Sequence, residues 1–156
     1  MYSYEDSYRY LELDYSIAYQ IRRLARLLRI ALNRVLAESP GNLTAEQWII
    51  LLQLHSKGQL NQHELTDDVL QDRANIARHL NNLETNGYIS RSQDEQDARR
   101  NLVSLTYAGT ELIECLLPII SDLRIIRYQG LSQDDLNQLM RFLNIIEENV
   151  VNTNID

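Results

Sequence analysis

The chain has one cysteine, two prolines and five glycines among 156 residues. The single cysteine, Cys115, excludes an internal disulfide and fits a reducing compartment, so a cytoplasmic setting is expected. So few helix breakers leave room for long helices. No apolar run approaches the ~20 residues of a membrane span. The stretch MYSYEDSYRYLELD is too polar and acidic for a signal peptide. Basic residues are also in deficit: 15 Lys and Arg stand against 22 Asp and Glu, a formal net charge of −7, which argues against a uniformly basic nucleic-acid coat. Signatures of catalysis are missing too. His63-Glu64 lacks the second histidine of a metalloprotease helix, and there is no glycine-rich phosphate loop. The histidines have no metal spacing with Cys115, and Asp94, Glu95 and Asp97 read as a solvated acidic turn rather than a cation site. No enzyme, no metal and no cofactor is expected.

What is present is ordinary in bulk, with 44% hydrophobic and 24% charged residues, the profile of a globular protein. The length suits one compact domain, or a small module with arms. The charge is unevenly spread. From Tyr15 to Ala37 there is no acid, and Arg22, Arg23, Arg26, Arg29 and Arg34 all lie there. In the same stretch Ile17, Ile21, Leu24, Leu28, Ala31 and Val35 step by four and three in turn, a heptad seam. Ala25, Leu27, Leu32 and Leu36 widen it, so this helix needs cover on more than one side.

Helix starts and stops follow in series. Thr44 and Gln47 have capping-box spacing, with Leu43 and Trp48 as the staple. Trp48, Leu51, Leu52 and His55 form the expected inward stripe, and Lys57-Gly58 ends the element. Asn61 and Glu64 repeat the cap spacing and open a short helix. Another starts at Asp72, buries Ile76, Leu80 and Leu83, and stops at Asn86-Gly87. Tyr88 to Gln93 and Leu102 to Leu105 read as strands. Thr106 caps a long helix that contains Pro118, and Ser132 opens a last one whose stripe is Leu136, Leu139, Met140, Leu143, Ile146 and Val150. The expected fold is mainly α with a small β hairpin. Two short helices feed a third, which feeds the hairpin, the order of a winged helix-turn-helix.

The third of these helices faces outward with Ala74, Arg78, Asn81 and Thr85, flanked by Asn75 and Asn82. Arginine and asparagine grip guanine and adenine edges through two hydrogen bonds each. Arg73 at the helix N-terminus suits a phosphate. Amides are equally common on solvated faces, and the hairpin that follows tilts the reading toward a DNA groove. In the stretch DEQDARRNLVSLTYAG, Arg99 and Arg100 sit at the hairpin tip, where a guanidinium can enter a minor groove; the alternative is a hydrated turn with a weak ion pair. Arg91, on the first strand, is grouped with them as a wing contact.

These residues resemble the MarR family of bacterial transcription regulators over nearly the whole chain. The likeness is strongest from LTAEQWIILLQL through DRANIARHLNNLETNGYISR to DEQDARRNLVSLTYAG. Asp97, Arg99, Leu105, Thr106 and Gly109 match the family's wing and following strand; Leu83, Glu84 and Gly87 match the end of its reading helix. The family often has arginine directly after the wing aspartate, where this chain has Ala98, so either Arg99 or Arg100 is the groove residue. The resemblance implies a homodimer on a pseudo-palindromic double-stranded DNA operator. Residues 1–40 would be an arm and dimerisation helix, 41–109 the DNA-binding module, and 110–156 further dimerisation helices. Ile17, Ile21, Leu24, Leu28, Leu136, Leu139, Leu143 and Ile146 would carry the interface. The six tyrosines before Gln20 would either cross the partner subunit or belong to a frayed end. The resemblance also implies a repressor released by a small aromatic or lipophilic effector, with Trp48, His55 and Arg26 as candidate wall residues. Cys115 is expected to be a small buried hydrophobe rather than a sensor thiol. The rival reading is a winged module used only for protein contact.

Overall fold

A computed structural model describes residues 16–62, 64–65, 73–93 and 101–153. Contacts group the chain into two units, Met1–Leu117 and Pro118–Asp156. The first unit begins with α1 (Ile17–Ala37), α2 (Ala45–Lys57) and the two-residue strand β1 (Leu60–Asn61). Helical residues Gln62, Glu64 and Leu65 follow. Then come α3 (Arg73–Thr85), β2 (Ile89–Gln93), β3 (Asn101–Leu105) and α4 (Tyr107–Arg127), which runs on through Pro118 into the second unit; α5 (Gln133–Asn152) completes the chain.

The local signals act as their chemistry requires. Thr44 accepts a hydrogen bond from the Gln47 amide at 3.2 Å, and the Gln47 side chain accepts from the Thr44 amide at 2.8 Å. Asn61 and Glu64 reciprocate in the same way, at 3.1 and 2.7 Å. Ser132 and Asp135 close a third box at the start of α5. Each satisfies amides that the first turn of a helix leaves without partners. α3 ends in a Schellman motif: Tyr88 donates its amide to the Leu83 carbonyl at 3.0 Å and Gly87 donates to Glu84 at 2.9 Å. Gly87 takes φ +76°, a conformation open to glycine at little steric cost. Helix α3 is thereby turned straight into β2.

The sheet is three-stranded and antiparallel, in the order β1-β3-β2. Leu60 pairs with Val103, and Ile89 to Gln93 pair with Leu105 to Asn101. The expected hairpin thus gains a third strand on its far edge. The core of the first unit is Leu36, Leu43, Trp48, Ile50, Leu51, Leu54, Leu65, Ile76, Leu80, Leu83, Ile89, Val103, Ile113 and Leu116. α2 lies against α1, α3 and β3, and α3 lies against β2.

Two expectations need correction. His55 is exposed, and Ile50 and Leu54 complete the buried stripe of α2 with Trp48 and Leu51. The wide apolar surface of α2 left the inward face open to more than one choice, and the helix turned its imidazole to water. Cys115 is exposed rather than buried, one position off the Leu112, Ile113 and Leu116 stripe of α4. In the second unit α5 has no buried residue, and Leu139, Met140, Phe142, Ile145, Ile146, Val150 and Val151 are all exposed.

Candidate nucleic-acid interface

α3 is built to present one face. Ile76, Leu80 and Leu83 are fully buried, which fixes the rotation of the helix about its axis. Ala74, Arg78, Asn81, Asn82 and Thr85 are exposed and Asn75 is half-buried. The sequence-based partition of this helix is therefore the one observed. The Arg73 backbone is helical, but its side chain lies outside the described residues, as do Arg99, Arg100 and Asp97 at the hairpin tip.

The outward side chains are not independent of one another. Arg78 donates from Nη2 to Asn75 Oδ1 at 3.3 Å. Asn81 Oδ1 accepts from Arg91 Nη2 at 2.8 Å. Arg91 Nη1 lies 3.2 Å from Glu84 Oε2, so the acid of α3 is neutralised by an arginine of β2. Strand alternation accounts for this reach. Arg91 shares a sheet face with buried Ile89, while Ser90 and Ser92 point the other way. Ser90 meets Ser104 at 3.2 Å across the ladder, and Ser92 accepts from Gln59 at 3.3 Å.

Asn82, although exposed, also bonds back to α2. Its Oδ1 accepts from Gln47 Nε2 at 2.6 Å and from Asn86 Nδ2 at 3.2 Å. Gln47 is buried. One side chain therefore closes the capping box of α2 with its oxygen and holds α3 with its nitrogen. The α2 N-terminus is also tied to α1, because Ala45 donates its amide to Asn33 Oδ1 at 2.7 Å and Arg29 Nη1 lies 3.4 Å from Glu46 Oε1. Sequence reading missed Asn33 and the second role of Gln47. His79 on α3 has a pKa below its ordinary value, chiefly because burial disfavours the charged ring; Arg78 adds to this and Glu46 opposes it.

The strand-to-helix junction behind the hairpin is equally constrained. Thr106 Oγ1 donates to the Gly87 carbonyl at 2.6 Å and accepts from the Gly109 amide at 3.1 Å, while the Thr106 amide donates to Tyr88 O at 3.1 Å. Gly109 packs so close to this turn that a Cβ on it would lie 2.1 Å from Tyr88 O. The threonine and the glycine three residues later thus fix the base of the hairpin against the end of α3.

Residues 43–100 match the model of the MarR family. Over that stretch the chain is similar to the MarR family. The winged fold recurs in solved structures of transcriptional regulators. A probable transcriptional regulator from Pseudomonas aeruginosa is 29% identical, with a TM-score of 0.71 over 86% of this chain and 99% of that one. A MarR variant from E. coli complexed with operator DNA is 25% identical, with a TM-score of 0.69 over 81% of this chain and 93% of that one. The PcaV transcriptional regulator from Streptomyces coelicolor, in complex with its natural ligand, shares the fold at 23% identity and a TM-score of 0.76, covering 88% and 95% of the two chains. In this winged fold α3 is followed directly by the β2–β3 hairpin. No helix among the described residues is long and apolar enough to cross a membrane, and no group of three potential metal ligands occurs among them.

Proposed function

We propose that the protein is a dimeric, sequence-specific regulator that binds double-stranded operator DNA and represses transcription until a small molecule releases it. The observation that carries this reading is the outward face of α3. It presents Arg78, Asn75 and Asn81, and the acid that follows them, Glu84, is paired with Arg91. Such a face offers donors and acceptors to base edges without an unpaired carboxylate to repel phosphate. The relative from E. coli complexed with operator DNA supports the same assignment. Arg73 and the wing arginines Arg99 and Arg100 are assigned to the phosphate backbone and the minor groove. A reader of duplex DNA of this kind works in the cytoplasm.

Residues 1–40 and 110–156 are assigned to dimerisation and 41–109 to DNA binding. Two copies are needed to meet a pseudo-palindromic site, and the exposed apolar faces of α1 and α5 support self-association. An effector enters the reading through PcaV, whose structure holds its natural ligand. Such a ligand releases DNA only by preferring the conformation that cannot bind it.

Gel shifts on the protein's own promoter region, with a salt series, test the core of the proposal. Arg99→Ala should weaken binding to every duplex and lower the salt slope by about one unit. Arg78→Ala should relax preference at one position per half-site, at a cost of about 1–3 kcal/mol. No retention of any duplex at low ionic strength would leave a winged module that contacts protein alone. A panel of aromatic acids in a melting assay, followed by the same gel shift, tests release.

A further inference from the structure

Arg91 comes from the wing strand, and a basic side chain on a wing is ordinarily assigned to phosphate. Its geometry says otherwise. Both terminal nitrogens are turned onto α3: Nη2 reaches Asn81 Oδ1 at 2.8 Å and Nη1 reaches Glu84 Oε2 at 3.2 Å. Asn81 and Glu84 are three residues apart and so lie on one helical face. The pairing also settles which way the Asn81 amide points. A guanidinium has donors only, so the atom it meets must be the amide oxygen. The Asn81 nitrogen is left as the outward end.

We infer that Arg91 is a positioning residue of the reading helix: it holds Asn81 with its donor –NH2 toward the base edges and cancels the charge of Glu84. This rests on the DNA-binding reading above. A fixed outward donor favours base positions that offer an acceptor, such as the N7 and O6 of guanine or the N7 of adenine. A free asparagine would present oxygen and nitrogen about equally and discriminate less.

The test is selection of binding sites from randomised duplexes with the wild type, Asn81→Ala, Arg91→Gln and Arg91→Lys, joined to salt series. Arg91→Gln is expected to flatten the selected motif at the same base position as Asn81→Ala, and the double variant should be no flatter. Arg91→Lys keeps the charge but not the two-pronged grip. It should hold non-specific affinity near the wild-type level and lose the same base preference. Combining Glu84→Gln with Arg91→Gln should leave the salt slope at its wild-type value, because the pair carries no net charge. A phosphate contact predicts the reverse: a slope lower by about one unit in that double variant and an unchanged motif in Arg91→Gln. Either result overturns the inference.

Urea unfolding without DNA supplies an independent arm. The midpoint shifts of Arg91→Gln and Asn81→Ala should be non-additive, and strict additivity would show that Arg91 does not hold Asn81. If the wild type binds no duplex, the proposed function fails, while the urea arm still decides whether this contact exists.

Discussion

At Gly109 the absence of one methyl group decides how closely two stretches of backbone approach. A Cβ there would lie 2.1 Å from Tyr88 O, and a backbone carbonyl held by the Thr106 amide cannot swing aside as a side chain can. Gly109→Ala should therefore cost at least the ~1–3 kcal/mol of an overpacked core, read as a lower urea midpoint; an unchanged midpoint would mean the junction is looser than its hydrogen bonds indicate. His79 gives a second expectation at this scale. Its folded pKa lies below the ordinary 6.5, so the unfolded chain takes up the proton more readily. Stability is then flat above that value, declines as the pH falls from about 6.5 toward the folded pKa, and reaches its floor below it. His79→Gln should remove this step from a plot of melting temperature against pH, and a step that persists would belong to another group. Legibility at the residue scale follows sequence distance. Thr106 and Gly109, three apart, were readable as a motif. The bond from Gln47 to Asn82 spans 35 residues, and no local spacing announces it. Gln47 was correctly read as a capping residue, because that half of its role is local.

At the scale of elements, the N-terminus of α2 is where α1 and α3 meet in bonding. Asn33 of α1 accepts from Ala45, Gln47 completes the box with Thr44, and the same glutamine reaches Asn82 of α3. Ala45 is buried, so its amide has little access to water if Asn33 is lost. Asn33→Ala should cost about 1–3 kcal/mol, the penalty for a buried donor without an acceptor, and amide exchange in the first turn of α2 should quicken. Unchanged exchange at Ala45 would sever this link between α1 and α2. Helices α2 and α5 were legible because caps and apolar periodicity agree along each, and α1 from its apolar spacing; most of the short helix opened by Asn61, with Val69 and Leu70, and the Asp72 start lie outside the described residues. The strand β1 was not legible. It has two residues, too few for alternation to signal, and its existence depends on Val103 and Leu102 arriving from more than 40 residues away to pair with Leu60 and Asn61. The same limit applied to the hairpin strand β2: its sequence shows an arginine, but only the sheet face shared with Ile89 turns that arginine onto α3.

For the whole molecule the governing question is what covers the apolar surface that one chain leaves in water. On α1, Ile17 is 61% exposed and Leu24 55%, with Ile21, Leu27 and Ile30 exposed beside them; on α5, Val150 is 62% exposed and Met140 57%. Rows of large apolar residues at helical spacing rarely stay wet in a protein that remains soluble. The spacing of the α1 row was visible in the sequence as an apolar face of heptad period; what covers that face leaves no local trace. If a second copy does so, replacing Leu24 and Leu28 with Glu should abolish the dimer, because like charges would be forced together in a dry seam. Leu24 is exposed and Leu28 half-buried in the single chain, so this variant probes association more than the core of the module. Leu139→Glu with Ile146→Glu asks the same of α5, where both residues are exposed. Sedimentation should show monomers in both cases. The wild type should also melt at a temperature that rises with protein concentration, as folding linked to association requires, and both variants should lose that dependence. Dimers that persist through both pairs of substitutions would place the subunit contact elsewhere and leave the exposed rows of α1 and α5 to another occupant.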